Sequence, residues 1–195
     1  MNLPNKQNEL KDILKKSGWE ENRNISNQIK NTTLYKLYPQ VINDFISSFG
    51  GLKISKDNFE EISIIGIDFF NHSTSLDNYE ENIFDQSKNI DTDNDDDEYY
   101  YSALIGRQIY FVAKLKENNK LMMDQDGRFY VHTFIPDFFW IANNPMEAFE
   151  QILFGYKNAT ILHEESLKWI PPSGKEISYQ PPLNNKLTKN PWLTD

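Results

Sequence analysis

Residues 38–54 read YPQVINDFISSFGGLKI, and this stretch decides the fold. Its apolar side chains first recur at the i, i+3, i+4 spacing of a helix with one buried face, and Pro39 suits the first helical turn. Gly50 and Gly51 end the helix. From Leu52 the apolar period changes to about two, which is typical of a strand. The chain therefore passes here from a helix into a sheet.

The segments before this helix are weaker in pattern. Leu10, Ile13 and Leu14 predict a short first helix that stops near Gly18. Residues 19–33 are polar and rich in Asn and Ser, which predicts a loop or irregular connection.

Beyond the helix, a series of short strands is predicted. Asp126-Gly127 can supply the positive backbone angles of a tight hairpin between two of them. The predicted strands are Leu52 with Ile54, Ile62–Ile67, Tyr99–Ile105, Gln108–Lys114, Leu121–Met123, Arg128–Val131 and a short Phe138–Ile141. Asn144 and Pro145 then open a helix that Gly155 closes.

The order of these elements predicts an α+β fold. We expect a single, mostly antiparallel (mixed) sheet of about six strands with N-terminal and C-terminal helices on one side of it. Residues 1–155 form the predicted domain, with an acidic insertion at about 77–98. Residues 156–195 contain five prolines and are interpreted as an extension packed on the domain through apolar anchors such as Trp169 and Trp192.

Composition excludes several classes of function. The absence of cysteine rules out disulfides and thiolate metal sites, and a net charge of −9 argues against a nucleic-acid partner. The sequence shows neither a secretory signal nor a stretch of ~20 apolar residues, so we expect a cytoplasmic protein without a membrane partner. No cofactor and no metal ligands are predicted; the calcium-like run from Asp91 lacks both the glycine and the glutamate that such a loop needs.

The negative charge is concentrated in one segment. Residues 77–98 hold ten acidic residues against Lys88 alone. Such a run is ordinarily a solvated loop, but acids flanked by aromatic residues also suit a surface that binds a basic partner. The candidate partner-binding residues are Glu80, Glu81, Phe84, Asp85, Asp93, Asp95, Asp96, Asp97, Glu98, Tyr99, Tyr100 and Tyr101.

Several short motifs resemble the third family of the SUKH superfamily of bacterial immunity proteins. The resemblance runs from about Leu10 to Gly155 and depends on the order and spacing of its motifs. They are Ser17-Gly18-Trp19 with Arg23, Phe45–Leu52, Ile105-Gly106, Asp126–Tyr130 and Glu147–Gly155. Among these, the residues interpreted as structural are Trp19, Arg23, Phe49, Gly50, Gly51, Leu52, Gly106 and Gly127.

The resemblance implies a protein that binds and neutralises a cognate toxin domain, often a nuclease, without catalysis. The charge of the acidic segment predicts that this toxin is basic. Two alternatives stay open at this point: a protein-interaction scaffold of the same fold with no toxin partner, and a small hydrolase that uses His132 with a neighbouring carboxylate.

Overall fold

The computed structural model describes residues 6–57, 59–72, 90–94, 96–135, 137–172 and 179–193, with only the backbone of residues 59 and 60. Its helices are α1 (Lys6–Lys16), α2 (Ser26–Ile29), α3 (Thr33–Leu37), α4 (Gln40–Phe49), α5 (Ile67–His72), α6 (Asp97–Ile105) and α7 (Pro145–Phe154). Its strands are β1 (Lys53–Lys56), β2 (Phe59–Ile64), β3 (Ile109–Leu115), β4 (Lys120–Asp124), β5 (Phe129–His132), β6 (Phe138–Ala142), β7 (Thr160–His163) and β8 (Lys168–Ile170). No helix within these ranges has the length and apolar character needed to cross a membrane.

The eight strands form one antiparallel sheet in the order of the sequence, from β1 to β8. The α+β prediction is confirmed, although it allowed for about six strands. The two additional strands, β7 and β8, lie beyond residue 155 and extend the sheet at one edge. They have four and three residues, too few for an alternating pattern to be recognised among the prolines of that region.

One face of the sheet carries the larger core. Helices α1, α4 and α7 bury their apolar sides there against alternate residues of the strands, such as Leu121 and Met123 of β4. The Phe45 ring of α4 lies 5.3 Å from Phe129 of the sheet, and Phe49 lies 5.1 Å from Phe149 of α7. Helix α4, identified from residues 38–54, therefore joins the sheet to the last helix.

The opposite face carries a second core, formed by the residues that alternate with the first set. Met122 of β4 and Tyr130 of β5 point to this side, where they meet Tyr101 and Leu104 of α6. Residues 179–193 complete the cover: Tyr179, Leu183, Leu187 and Trp192 pack against the same cluster. Both faces of the sheet are thus buried, and the prediction that the helices all lie on one side is wrong.

That error follows from a second one, the prediction of a strand at Tyr99–Ile105. These residues form most of α6, which begins at the N-cap Asp96 and ends at Gly106 in the left-handed conformation. Because α6 is enclosed between the sheet and residues 179–193, its five residues from Tyr101 to Ile105 are all buried. A helix that is apolar on every side has no 3.6-residue period to detect.

Two smaller predictions also need correction. Residues 19–33 are not one irregular connection, since α2 lies within them and α3 starts at Thr33. The strand predicted for Ile62–Ile67 ends at Ile64, because Gly66 packs against Gly51 and the chain turns there into α5. The hairpin at Asp126-Gly127 is confirmed between β4 and β5, with Gly127 at φ 89°.

Candidate partner-binding surface

The antiparallel order places the β3–β4, β5–β6 and β7–β8 turns at one end of the sheet, the end that also carries the β1–β2 turn of the edge strand. The pairing of Lys120 with His132, and of His132 with Phe138, puts the β3–β4 turn (116–119) beside the β5–β6 turn (133–137). The β7–β8 turn (164–167) lies at this end too, because β7 runs antiparallel to β6. We call the surface formed by the β3–β4, β5–β6 and β7–β8 turns, the first residues of β4 and β8, residues 91–94 and the start of α6 the acidic end.

The first turn of α6 is fixed to this end of the sheet by Asp97. Its Oδ2 lies 2.9 Å from Lys120 Nζ and 3.4 Å from His132 Nδ1. One residue earlier, the Asp96 carboxylate accepts a hydrogen bond of 3.0 Å from the Tyr99 N–H, which caps the helix. Acidic side chains are favourable at a helix N-terminus, so part of the acidic segment has a fixed place in the fold.

Negative charge dominates the acidic end. Among the described residues of this surface, acidic side chains outnumber basic ones by nine to three. The acids are Asp91, Asp93, Asp96, Asp97, Glu98, Glu117, Asp137, Glu164 and Glu165, and the bases are Lys116, Lys120 and Lys168. Four of the nine come from turns far from residues 77–98 in sequence, on the loops after β3, β5 and β7, with Glu164 and Glu165 sharing one turn.

Two of the three tyrosines predicted to contact a partner, Tyr100 and Tyr101, turn inward instead. The Tyr101 ring stacks on Phe138 at 4.2 Å, and only 3% of the residue is exposed. The hydroxyls of Tyr100 and Tyr101 donate to the two oxygens of Glu164, at 2.5 and 3.0 Å. Burial and the adjacent Glu164 carboxylate raise the pKa of both phenols well above their usual value. Tyr101 is therefore a core residue, and we leave it out of the proposed contact surface.

Residues near the C-terminus hold α6 from outside. Asn190, itself 1% exposed, donates through Nδ2 to the Tyr100 hydroxyl at 2.8 Å. Trp192 packs edge-on against Tyr99 and Tyr100, and its indole N–H donates to the Asn94 carbonyl at 3.3 Å. The acidic residues before α6 are thus positioned by a part of the chain about ninety residues away.

His132 does not have the surroundings of a catalytic base. The residue is 8% exposed, and its Nε2 is enclosed with no hydrogen-bond partner in the described part of the chain. Burial lowers the pKa of the imidazole, with Lys120 acting in the same direction and Asp97 and Glu164 opposing it. A general base must reach a substrate, and an enclosed Nε2 cannot. This geometry argues against the hydrolase alternative.

The β5–β6 turn carries two apolar residues that sequence reasoning missed. Phe134 and Ile135 are each 76% exposed. The sequence does hold a signal for this exposure. The two large apolar residues lie directly before a proline, in a turn between two predicted strands, and such a turn offers no core position. Phe134 follows by two residues His132, whose Nδ1 lies 3.4 Å from the Asp97 carboxylate.

The predicted partner-binding residues therefore divide into three groups. Asp93, Asp96, Asp97, Glu98 and Tyr99 are brought together at the acidic end; Tyr100 and Tyr101 pack inward on Glu164. The other five, Glu80, Glu81, Phe84, Asp85 and Asp95, lie outside the described residues.

The motif residues interpreted as structural lie elsewhere and hold the fold. Arg23 donates to the carbonyls of Ser48 and Gly50, at 3.1 and 2.7 Å, and so satisfies the end of α4. Trp19 stacks on Phe49 at 5.9 Å, and Phe49 and Leu52 are buried. Gly51 has a φ of 76° and lies against Gly66. A Cβ added to Gly66 would come within 2.8 Å of the Gly51 Cα.

Comparison with known proteins identifies one family. A family model described as SUKH-3 immunity protein matches residues 6–155. Neither a curated protein nor a solved structure matches the chain in the same comparisons. The matched range ends at Gly155, so β7, β8 and residues 179–193 lie outside it.

Proposed function

The chain belongs to the SUKH-3 immunity protein family, and from this we propose that it neutralises a cognate toxin domain by docking on it through the acidic end. The toxin belongs to a polymorphic, contact-dependent system, and the immunity protein acts in the cytoplasm of a bacterium. Recognition is its whole activity, and no bond is made or broken.

The observation that carries this proposal is the nine-to-three excess of acids over bases among the described residues of the acidic end. Potentials of opposite sign speed the encounter of two proteins and exclude wrong partners. A nuclease suits the role of partner best, because an enzyme that handles a phosphate backbone presents clustered Lys and Arg. The acids of the acidic end would occupy the place of the phosphates and obstruct the active site.

The structure also supports a preorganised surface. Asp96 and Asp97 are fixed by the helix cap and by Lys120, and Glu164 is fixed by two tyrosine hydroxyls. Groups that are ordered before binding lose less entropy in the complex. We expect an interface of standard size, on the order of 1,200–2,000 Å² in total.

A binding experiment with the toxin domain encoded beside the gene for this chain tests the proposal. Association rates are measured over a series of salt concentrations, and protection is measured by growth of cells that express the toxin. The informative variant is Asp91→Asn with Asp93→Asn, because both side chains are exposed and an amide in place of the Asp91 carboxylate can still accept the 3.0 Å bond from the N–H of residue 93. The matched control is Glu20→Gln with Glu21→Gln, two exposed acids outside the acidic end.

We expect the acidic-end variant to associate several-fold more slowly at low salt and to show a weaker salt dependence, while the control behaves like the wild type. Absence of both binding and protection for the wild type would refute the immunity role and favour a scaffold for some other host protein. Equal association rates for the two variants would remove the acidic end from the interface.

A further inference from the structure

We propose that Phe134 and Ile135 are the apolar anchor of this interface, and that they insert together into an apolar pocket rimmed by basic residues on the toxin. This inference rests on the proposed function and deepens it, since charge alone brings a partner close but does not hold it. Most of the binding energy of an interface comes from a few buried side chains near its centre.

The exposure of the two residues sets them apart. Both are 76% exposed, whereas no other large apolar residue in the described part of the chain exceeds the 46% of Tyr156. Neighbouring apolar side chains that face water gain free energy when a partner removes them from it. Their position at the tip of a turn also lets both side chains enter a pocket without movement of the sheet.

The turn that carries them is held by hydrogen bonds. The Thr133 N–H donates to the Asp137 carbonyl at 3.0 Å, and the Thr133 hydroxyl donates to the Ile135 carbonyl. The Phe134 N–H donates to the Asn119 side-chain oxygen at 2.9 Å, which joins this turn to the β3–β4 turn. A tip that is already ordered loses little conformational entropy on binding.

The anchor lies within the acidic end. His132, whose Nδ1 is 3.4 Å from the Asp97 carboxylate, precedes Phe134 by two residues, so their Cα atoms are at most about 7 Å apart. Asp137 follows the tip and Glu117 lies on the adjoining turn. The arrangement is an apolar centre with a charged rim, which is the usual anatomy of a protein–protein interface.

This charged rim also decides which occupant fits. A second copy of the chain would bring two acidic ends together, and a net charge of −9 on each copy opposes that contact. A bilayer rich in anionic lipid would repel the same carboxylates. A basic protein surface with an apolar pocket satisfies both the rim and the tip.

The test uses the full chain with Phe134→Ala and Ile135→Ala together, and the same toxin domain as above. We expect dissociation about 10- to 100-fold faster, with the association rate and its salt dependence unchanged. The matched control is Ile170→Ala, an exposed apolar residue at the opposite end of β8. Unfolding midpoints of all three proteins are compared, because an exposed tip should alter them little.

The outcomes separate the two proposals. If the wild type binds and the double variant dissociates at the same rate, the anchor is refuted and the immunity role stands. If the wild type does not bind the toxin, the proposed function fails first. Sedimentation that shows a wild-type dimer lost in the variant would assign the tip to a second copy, and flotation with phosphatidylglycerol vesicles would assign it to a membrane; either result overturns the inference.

Discussion

Asp124 and Asp126 offer a direct test of what stabilises the β4–β5 hairpin. Both carboxylates contact Arg128 Nη1, Asp124 at 2.9 Å and Asp126 at 2.6 Å. Distance alone would rank Asp126 as the stronger partner. Burial ranks them in the opposite order, since the Asp124 side chain is fully buried and that of Asp126 is 40% exposed.

The buried Asp124 carboxylate also accepts more hydrogen bonds than Asp126 does. Asp124 accepts hydrogen bonds from the Tyr130 hydroxyl and from the N–H groups of Asp126 and Arg128, each at 2.9 Å. Asp124→Ala would leave the Tyr130 hydroxyl unpaired inside the second core. Breaking a buried pair by removing one partner costs about 3–5 kcal/mol. Asp126→Ala removes exposed pairs with Arg107 and Arg128, which are worth about 0–1 kcal/mol each.

Urea denaturation followed by tryptophan fluorescence measures the difference. With an m-value of about 2–3 kcal/mol/M, we expect the midpoint of Asp124→Ala to fall by about 1–2 M and that of Asp126→Ala by a few tenths. Asp124→Asn, which keeps an acceptor and loses the charge, should lie between them. An Asp126→Ala variant as unstable as Asp124→Ala would show that proximity, and not burial, decides the energetics of this hairpin.

Two further predictions concern the anchorage of α6. Burial lowers the pKa of His132, so the folded state favours the neutral ring. The free energy of unfolding should therefore fall as the pH drops below about 6.5, by at most ~1.4 kcal/mol per pH unit. His132→Phe should reduce this slope in urea titrations between pH 5 and 8. Trp192→Ala should lower the free energy of unfolding by about 1–3 kcal/mol, less than the loss of a fully buried tryptophan would. The same variant should speed amide hydrogen exchange in α6. Unchanged exchange would show that residues 179–193 do not stabilise α6.

Helix α6 shows why part of the candidate site was not readable from the sequence. Its aromatic residues favour a strand by composition, while its end signals, the N-cap Asp96 and Gly106, are those of a helix. The decisive fact is that residues 179–193 cover its outer side. A contact between segments about ninety residues apart leaves no mark on the local pattern.

The acidic end shows the same division. Residues 77–98 were recognised as a candidate surface because their charges lie in one stretch of the sequence. Glu117, Asp137, Glu164 and the Phe134–Ile135 tip were not, because each lies in a short turn away from that run. Antiparallel pairing brings those turns to one end, and only the register of the sheet specifies which turns meet.

By itself the sequence determined the helix at residues 40–49, the β4–β5 hairpin, the α+β class and the family. These depend on local periodicity and on glycines whose backbone angles few other residues adopt, so the information lies within short stretches. Only the tertiary structure decided that the sheet is covered on both faces, that Tyr100 and Tyr101 of α6 point inward and that acids from four segments share one surface. Those facts depend on which distant residues exclude water from one another, and burial is a property of the folded chain as a whole.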